Sequence, residues 1–138
     1  DLRMPRVDGM TLLREALLNL VVNAMDATEA GREREAAVEV ITRAILGAGG
    51  LPAVAVEIRD RGAGISRADM ARIFAPGFTT KAQGSGLGLA VANRVVAAHH
   101  GQILVDSEEG MGTTMTVILP TDLGGFSSLA GRVSRAEI

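Results

Sequence analysis

The chain has no cysteine, no tryptophan and no tyrosine, its Phe count is 3, and no tract of basic residues runs along it. Each absence excludes something. Without cysteine there is no disulfide framework and no thiolate metal site, and the composition suits a reducing cytoplasm. With aromatics at 2%, a core has to be assembled from Leu, Val, Ile, Ala and Met, and a flat heterocycle bound here would lie against aliphatic side chains. A formal net charge of −2 without a basic patch leaves no electrostatic footprint for nucleic acid or an anionic membrane. No apolar run approaches the roughly 20 residues that a membrane span needs, and no signal peptide precedes the first periodic segment. A soluble, cytoplasmic chain without membrane contact is expected.

What is present suffices for one domain: 138 residues, of which 47% are hydrophobic. Leu12, Leu13, Leu17, Leu20, Val21 and Ala24 recur at three- and four-residue steps, which predicts a helix with one buried face from about Thr11 to Glu29. Residues 29–36 are charged and end it near Gly31. Val38, Val40, Ile41 and Ile45 form a β-branched run, broken by the glycines and proline of 47–52. Val54, Val56 and Ile58 then alternate with small or polar residues up to Asp60, as in a half-buried strand. The two runs read as an antiparallel hairpin, with a helix over 33–46 as the alternative. Ser66 and Asp69 form a capping-box-like pair opening a short helix through Ile73 and Phe74. Residues 75–85 lose all periodicity and read as a loop.

Leu87, Ala90, Val91, Val95 and Val96 restore the helical period up to His100, and Gly101 marks the stop. Gln102–Ser107 and Thr113–Leu119 alternate as strands, and Pro120 ends the second. The tail from Thr121 has no strong pattern and is expected to be loose or weakly helical. Helices and antiparallel strands in this order predict a two-layer α+β sandwich, with helices on one face of a mixed, mostly antiparallel sheet.

Polar and glycine-rich clusters punctuate this scaffold. Asn19 and Asn23 are one helical turn apart and share a face beside the apolar stripe, although asparagine is a poor mid-helix residue. A side-chain amide oxygen is a suitable hard ligand for Mg²⁺; two half-exposed helix asparagines are the plainer reading. Asp60-Arg61-Gly62-Ala63-Gly64-Ile65 follows a strand directly, where a carboxylate can accept from an exocyclic amine and glycines permit close backbone approach. A tight strand-capping turn is the alternative. Phe74–Lys81 leads into Gly84-Ser85-Gly86-Leu87-Gly88-Leu89, and glycines at a helix start aim N–H groups at anions. No Gly-Lys-Ser/Thr follows, so this is no P-loop, and Gly84, Gly86 and Gly88 break the dinucleotide fingerprint.

In this order the four clusters resemble the N, G1, F and G2 boxes of the histidine-kinase ATP-binding domain, within the superfamily shared with gyrase, mismatch-repair and chaperone ATPases. The resemblance spans residues 12–120 and includes the late Gly110-Met111-Gly112-Thr113 turn and a closing strand ending in Leu-Pro. The Phe-Thr-Thr-Lys and Asn-Ala-Met-Asp-Ala stretches are most similar to sensor kinases of the nitrogen-regulation type. The resemblance implies ATP and Mg²⁺ as ligands. It gives Asn23 to the metal, Asn19 to the phosphates, Asp60 to the adenine amino group and Lys81 to a lid contact. Residues 74–85 would form the ATP lid, and Gly84, Gly86 and Gly88 would hold phosphates. Asp26, Gly62, Gly64, Ile65, Phe78, Thr79, Thr80, Ser85, Leu87 and Thr113 would line the rest of the site. Gly77 stands where the family usually carries a bulky apolar residue.

Hydrolytic members usually place a glutamate base four residues before the metal-binding asparagine. That position is Asn19, whose amide takes up no proton at neutral pH, and Glu15 lies a further turn away. The resemblance therefore implies transfer of phosphate to a histidine on a partner dimerisation helix hairpin, and indirectly to a response regulator. A nucleotide-binding unit without transfer, and an ATPase or protein-serine kinase of the same superfamily, are the alternatives. His99 and His100 lie at a helix end without the setting of a phosphoacceptor, and the dimerisation hairpin is absent from this sequence. Residues 1–13 resemble the phosphorylation-site segment of a receiver, with Asp1 at the acceptor position but without its acidic pair, and read as a remnant or junction. This start replaces the strand and helix that usually precede the N box. An uncovered sheet edge, and homodimerisation through it, is therefore expected.

Overall fold

The computed structural model describes residues 9–31, 38–78, 88–121 and 133–137, with 29–31 and 133–137 as backbone only. The first helix, α1 (Gly9–Gly31), is followed by strands β1 (Val38–Leu46) and β2 (Pro52–Asp60). A short helix α2 (Arg67–Met70), a longer one α3 (Gly88–Ala98), and strands β3 (Gln102–Glu108), β4 (Gly112–Pro120) and β5 (Val133–Glu137) complete the order. The sheet runs β3-β4-β2-β1-β5, and every described ladder in it is antiparallel. The expected α+β sandwich is found, without the mixed pairing.

The hairpin of β1 and β2 forms where the β-branched run predicts it, and the helical alternative over 33–46 fails from Val38 onward. One face of the sheet receives the helices. Val38, Val56, Ile58, Met115 and Val117 are buried there together with Ala16, Leu20 and Ala24 of α1 and Ala92 and Val96 of α3. These residues recur at the periods of strand and helix, so local pattern and tertiary burial agree. Small residues on both helices let α1 and α3 lie side by side on the sheet. Two periodic residues point elsewhere: Leu12 is 38% exposed and Val91 is 45% exposed. The reverse face carries a lattice in which Glu57 pairs with Arg43 and Arg59, and Arg59 also reaches Glu39. Such partly exposed pairs contribute about 0–1 kcal/mol each.

Two expectations need correction. The tail is not simply loose or weakly helical, because Val133–Glu137 pairs with β1 from Arg43↔Val133 to Glu39↔Glu137. Its composition carries a weak strand signal; the neighbouring edge supplies a ladder of backbone groups that any short extended segment can satisfy. An uncovered sheet edge was expected; at β1 the edge is covered over Glu39–Arg43 within the chain itself. The second correction concerns the end of α3. His100, at φ 61, is the left-handed residue, and its N–H donates to Ala97 O while that of Gly101 donates to Val96 O. This is a Schellman closure with histidine at the strained position. Gly101 is needed for space instead: a Cβ there would stand 2.4 Å from Ile118 O.

Candidate functional site

One end of the sheet is polar on the helix-covered face. Rows of core residues cross β2, β4 and β3, and the last row is Asp60, Thr113 and Ser107, in direct register. Asp60 and Thr113 are both buried. The Asp60 carboxylate accepts through Oδ1 from Gly62 N at 2.9 Å and from Thr113 N at 3.2 Å. Burial pushes this carboxyl above its ordinary value near 3.8, while the N–H groups of Gly62 and Thr113 pull it back in part. A buried carboxylate at a strand end is costly to keep without a ligand, and this one keeps Oδ2 out of those two bonds.

Glycines let neighbouring loops close on this row. A Cβ at Gly62 would lie 2.4 Å from Ala27 O of α1, and at Gly64, with φ +71, it would lie 2.2 Å from Glu108 O. The turn between β3 and β4 is pinned to the same loop by Gly110 N donating to Ala63 O at 2.6 Å. Ser107 Oγ accepts from Ile65 N at 2.8 Å, donates to Gly112 O at 3.0 Å and meets Thr113 Oγ1 at 2.7 Å. So the segment after β2 is held between α1 and the β3–β4 turn.

The other side of the site is formed by helices. Asn19, Asn23 and Asp26 are half-buried on α1. A Cβ built on Gly88, the first residue of α3, would be 4.0 Å from Asn23 Nδ2. The asparagine face of α1 therefore meets the positive end of an 11-residue helix. Phe78 carries the Arg72 guanidinium 5.3 Å from its ring centre, a cation–π contact at the start of the segment 74–85 where the lid was expected. Gly77 takes φ 88 with nothing within 4 Å of a Cβ, a backbone that a bulky residue would strain.

The structure thus brings Asn23 to Gly88, Asp60 to Gly62 and Thr113, and Gly64 and Ile65 to the β3–β4 turn. Thr79, Thr80, Lys81, Gly84, Ser85, Gly86 and Leu87 lie outside the described residues. Ser107 and Ala27 were not anticipated. The signal for Ser107 was present: Ile103 and Val105 face the core, and a hydroxyl two residues on continues the same face.

A sandwich with polar groups at one end of the sheet, and a glycine-started helix facing them, defines a nucleotide-binding class of domain. Residues 9–123 match the family described as histidine kinase-, DNA gyrase B-, and HSP90-like ATPase, and the chain belongs to that family. It is 41% identical over 111 residues to the sensor histidine kinase ZraS of Escherichia coli strain K12, covering 80% of this chain and 22% of that protein. It is 40% identical over 115 residues to the signal transduction histidine-protein kinase AtoS of the same strain, covering 83% of this chain and 17% of that protein. Among solved structures, full-length ShkA in complex with AMPPNP superposes with a TM-score of 0.61 at 36% identity, covering 79% of this chain and 21% of that one. The chain spans about a fifth of the length of these relatives and is an ATP-binding domain of the histidine-kinase type. Among the described residues no helix is long and apolar enough to cross a membrane.

Proposed function

We propose that this domain holds Mg-ATP between α1, the segment after β2 and the start of α3, and delivers its terminal phosphate to a histidine on a separate dimerisation hairpin. One observation carries the reading: a buried carboxylate at a strand end and a half-buried asparagine facing a helix N-terminus border the same end of the sandwich. The first suits an exocyclic amine and the second suits a metal-bound polyphosphate. The binding of AMPPNP by ShkA and the kinase names of ZraS and AtoS support it.

The donor set fits Mg²⁺ better than a softer ion. Among the described residues no group of three or more His, Cys, Asp or Glu side chains could hold a metal. The protein's share of the coordination would be the Asn23 amide oxygen, the rest coming from phosphate and water, as magnesium prefers. Bound there, Mg-ATP supplies a transferable phosphoryl group with its charge neutralised. Asn23 fixes the metal's place, the N–H groups at the start of α3 attract negative oxygens, and Asp60 orients the base. Asn19, half-buried one turn before Asn23 on α1, cannot accept a proton at neutral pH. Water therefore meets no base from that position, which favours transfer over hydrolysis. Lys81 and the remaining residues of 79–87 are proposed as lid and phosphate contacts. A cytoplasmic location and a response regulator downstream follow from the same reading.

Calorimetry with ATP in the presence and absence of Mg²⁺ tests the binding step. Asn23→Ala should weaken Mg-dependent affinity by about 10–100-fold and change folding stability by less than about 1 kcal/mol. An unfolded variant would assign Asn23 to the core instead. Mixing the domain with ATP, Mg²⁺ and a separately expressed dimerisation hairpin tests transfer. Acid-labile phosphate on the hairpin is expected, whereas steady phosphate release by the domain alone would indicate an ATPase.

A further inference from the structure

The polar row at the end of the sheet has a hydrogen inventory that constrains what it can recognise. Ser107 Oγ has one hydrogen and two lone pairs. Ile65 N–H donates to it at 2.8 Å, and its own hydrogen goes to Gly112 O at 3.0 Å. Either hydroxyl can donate in the 2.7 Å contact between Ser107 Oγ and Thr113 Oγ1; with the Ser107 hydrogen assigned to Gly112 O, that contact uses the second lone pair and Thr113 is the donor. Thr113 N–H is also committed, to Asp60 Oδ1. Both donors of Thr113 are consumed, which leaves its hydroxyl oxygen as an acceptor only. Beside it, Asp60 in its ionised form is an acceptor as well.

We propose that Ser107 is a specificity-determining positioning residue: by taking the Thr113 hydroxyl hydrogen, it leaves Thr113 and Asp60 as a paired acceptor edge that selects a base carrying an amino group over one carrying a carbonyl at that place. The inference rests on the ATP reading and deepens it, because adenine presents an amino group where guanine presents an oxygen. An acceptor edge facing an acceptor oxygen leaves buried lone pairs opposed and unpaired, a situation that discriminates more strongly than a merely missing contact. Removing the Ser107 hydroxyl frees the Thr113 hydrogen to turn toward the ligand, and the edge then tolerates a carbonyl.

The test measures the affinities of ATP, GTP and N6,N6-dimethyl-ATP by calorimetry for the whole chain, the Ser107→Ala and Thr113→Val variants and the double variant, with melting curves for each. Ser107→Ala is expected to lower the ATP-to-GTP preference about tenfold, mainly through a gain in GTP affinity. In the Thr113→Val background, which has no hydroxyl to orient, Ser107→Ala should leave the preference unchanged. Ser107→Thr, which keeps a hydroxyl, should restore the native preference. Equal weakening of all nucleotides by Ser107→Ala would mark a purely structural residue and overturn the proposal. Should Ser107→Ala fail to fold, an unaltered preference in Thr113→Val overturns it and a lowered one supports it. Absence of ATP binding by the native chain would overturn the ATP reading itself, and this inference with it.

Discussion

Asp60 is the residue at which stability and recognition oppose each other. Burial raises its pKa above the ordinary carboxylate value, and only part of that is recovered from the N–H groups of Gly62 and Thr113. A group whose pKa is higher folded than unfolded binds protons more readily in the fold. It therefore contributes stability below its unfolded pKa, and that contribution is lost as pH rises through the folded pKa. At neutral pH the ionised carboxylate is a burden on the ligand-free domain. Asp60→Asn removes the charge and keeps an oxygen for Gly62 and Thr113, so it should raise Tm by about 2–5 °C at pH 7. The gain should shrink as pH is lowered into the carboxylate range, which melting curves of both proteins across pH would measure. The same variant turns an amide donor toward the base and should lower the preference for ATP over GTP by about tenfold. A Tm gain independent of pH would detach the effect from this ionisation.

At the level of elements, glycines with similar backbone angles serve different ends. Gly49 and Gly64 have φ +67 and +71, yet a Cβ at Gly49 meets nothing within 4 Å while one at Gly64 would lie 2.2 Å from Glu108 O. Gly49→Ala should cost about 1–2 kcal/mol from the backbone alone. Gly64→Ala should cost about 2–4 kcal/mol, because the β3–β4 turn must also move. Urea unfolding separates the two, and equal losses would show that the turn yields freely. This contrast also marks what was legible in the sequence. Strand alternation at Val54–Ile58 and helical spacing at Leu13–Ala24 are local signals, and they locate β2 and α1 to within a few residues. Asn23 and Asp60 are legible as site residues because their types conflict with their positions, an amide in mid-helix and a carboxylate closing an apolar strand. Ser107 was passed over because its importance arises from register with Thr113, which only the folded sheet supplies. The helix stop was placed at Gly101 for a related reason: a left-handed closure usually selects glycine, but here His100 takes that conformation and Gly101 is required by Ile118.

Across the whole molecule, the described sheet ends in β3 on one side and in β5, laid on β1, on the other, and the two sides are protected differently. Exposed Asp106 and Glu108 on β3 place charge along one side, a common guard against edge pairing. On the other side β1 relies on β5, which covers Glu39–Arg43 by backbone pairing. Asp60 belongs to β2, one strand further in, and α1 and α3 lie on the helix-covered face, so the nucleotide site does not depend on β5 directly. Removing residues 122–138 should therefore separate two properties. Self-association should appear in sedimentation experiments as protein concentration rises, because the bared β1 groups can pair with a second chain. ATP affinity, measured by calorimetry at low concentration, should change by less than about twofold. If the truncated chain remains a monomer with an unchanged Tm, β5 contributes nothing to guarding the edge. If ATP affinity collapses instead, the far strand supports the site through the sheet, and the separation between edge and site is wrong.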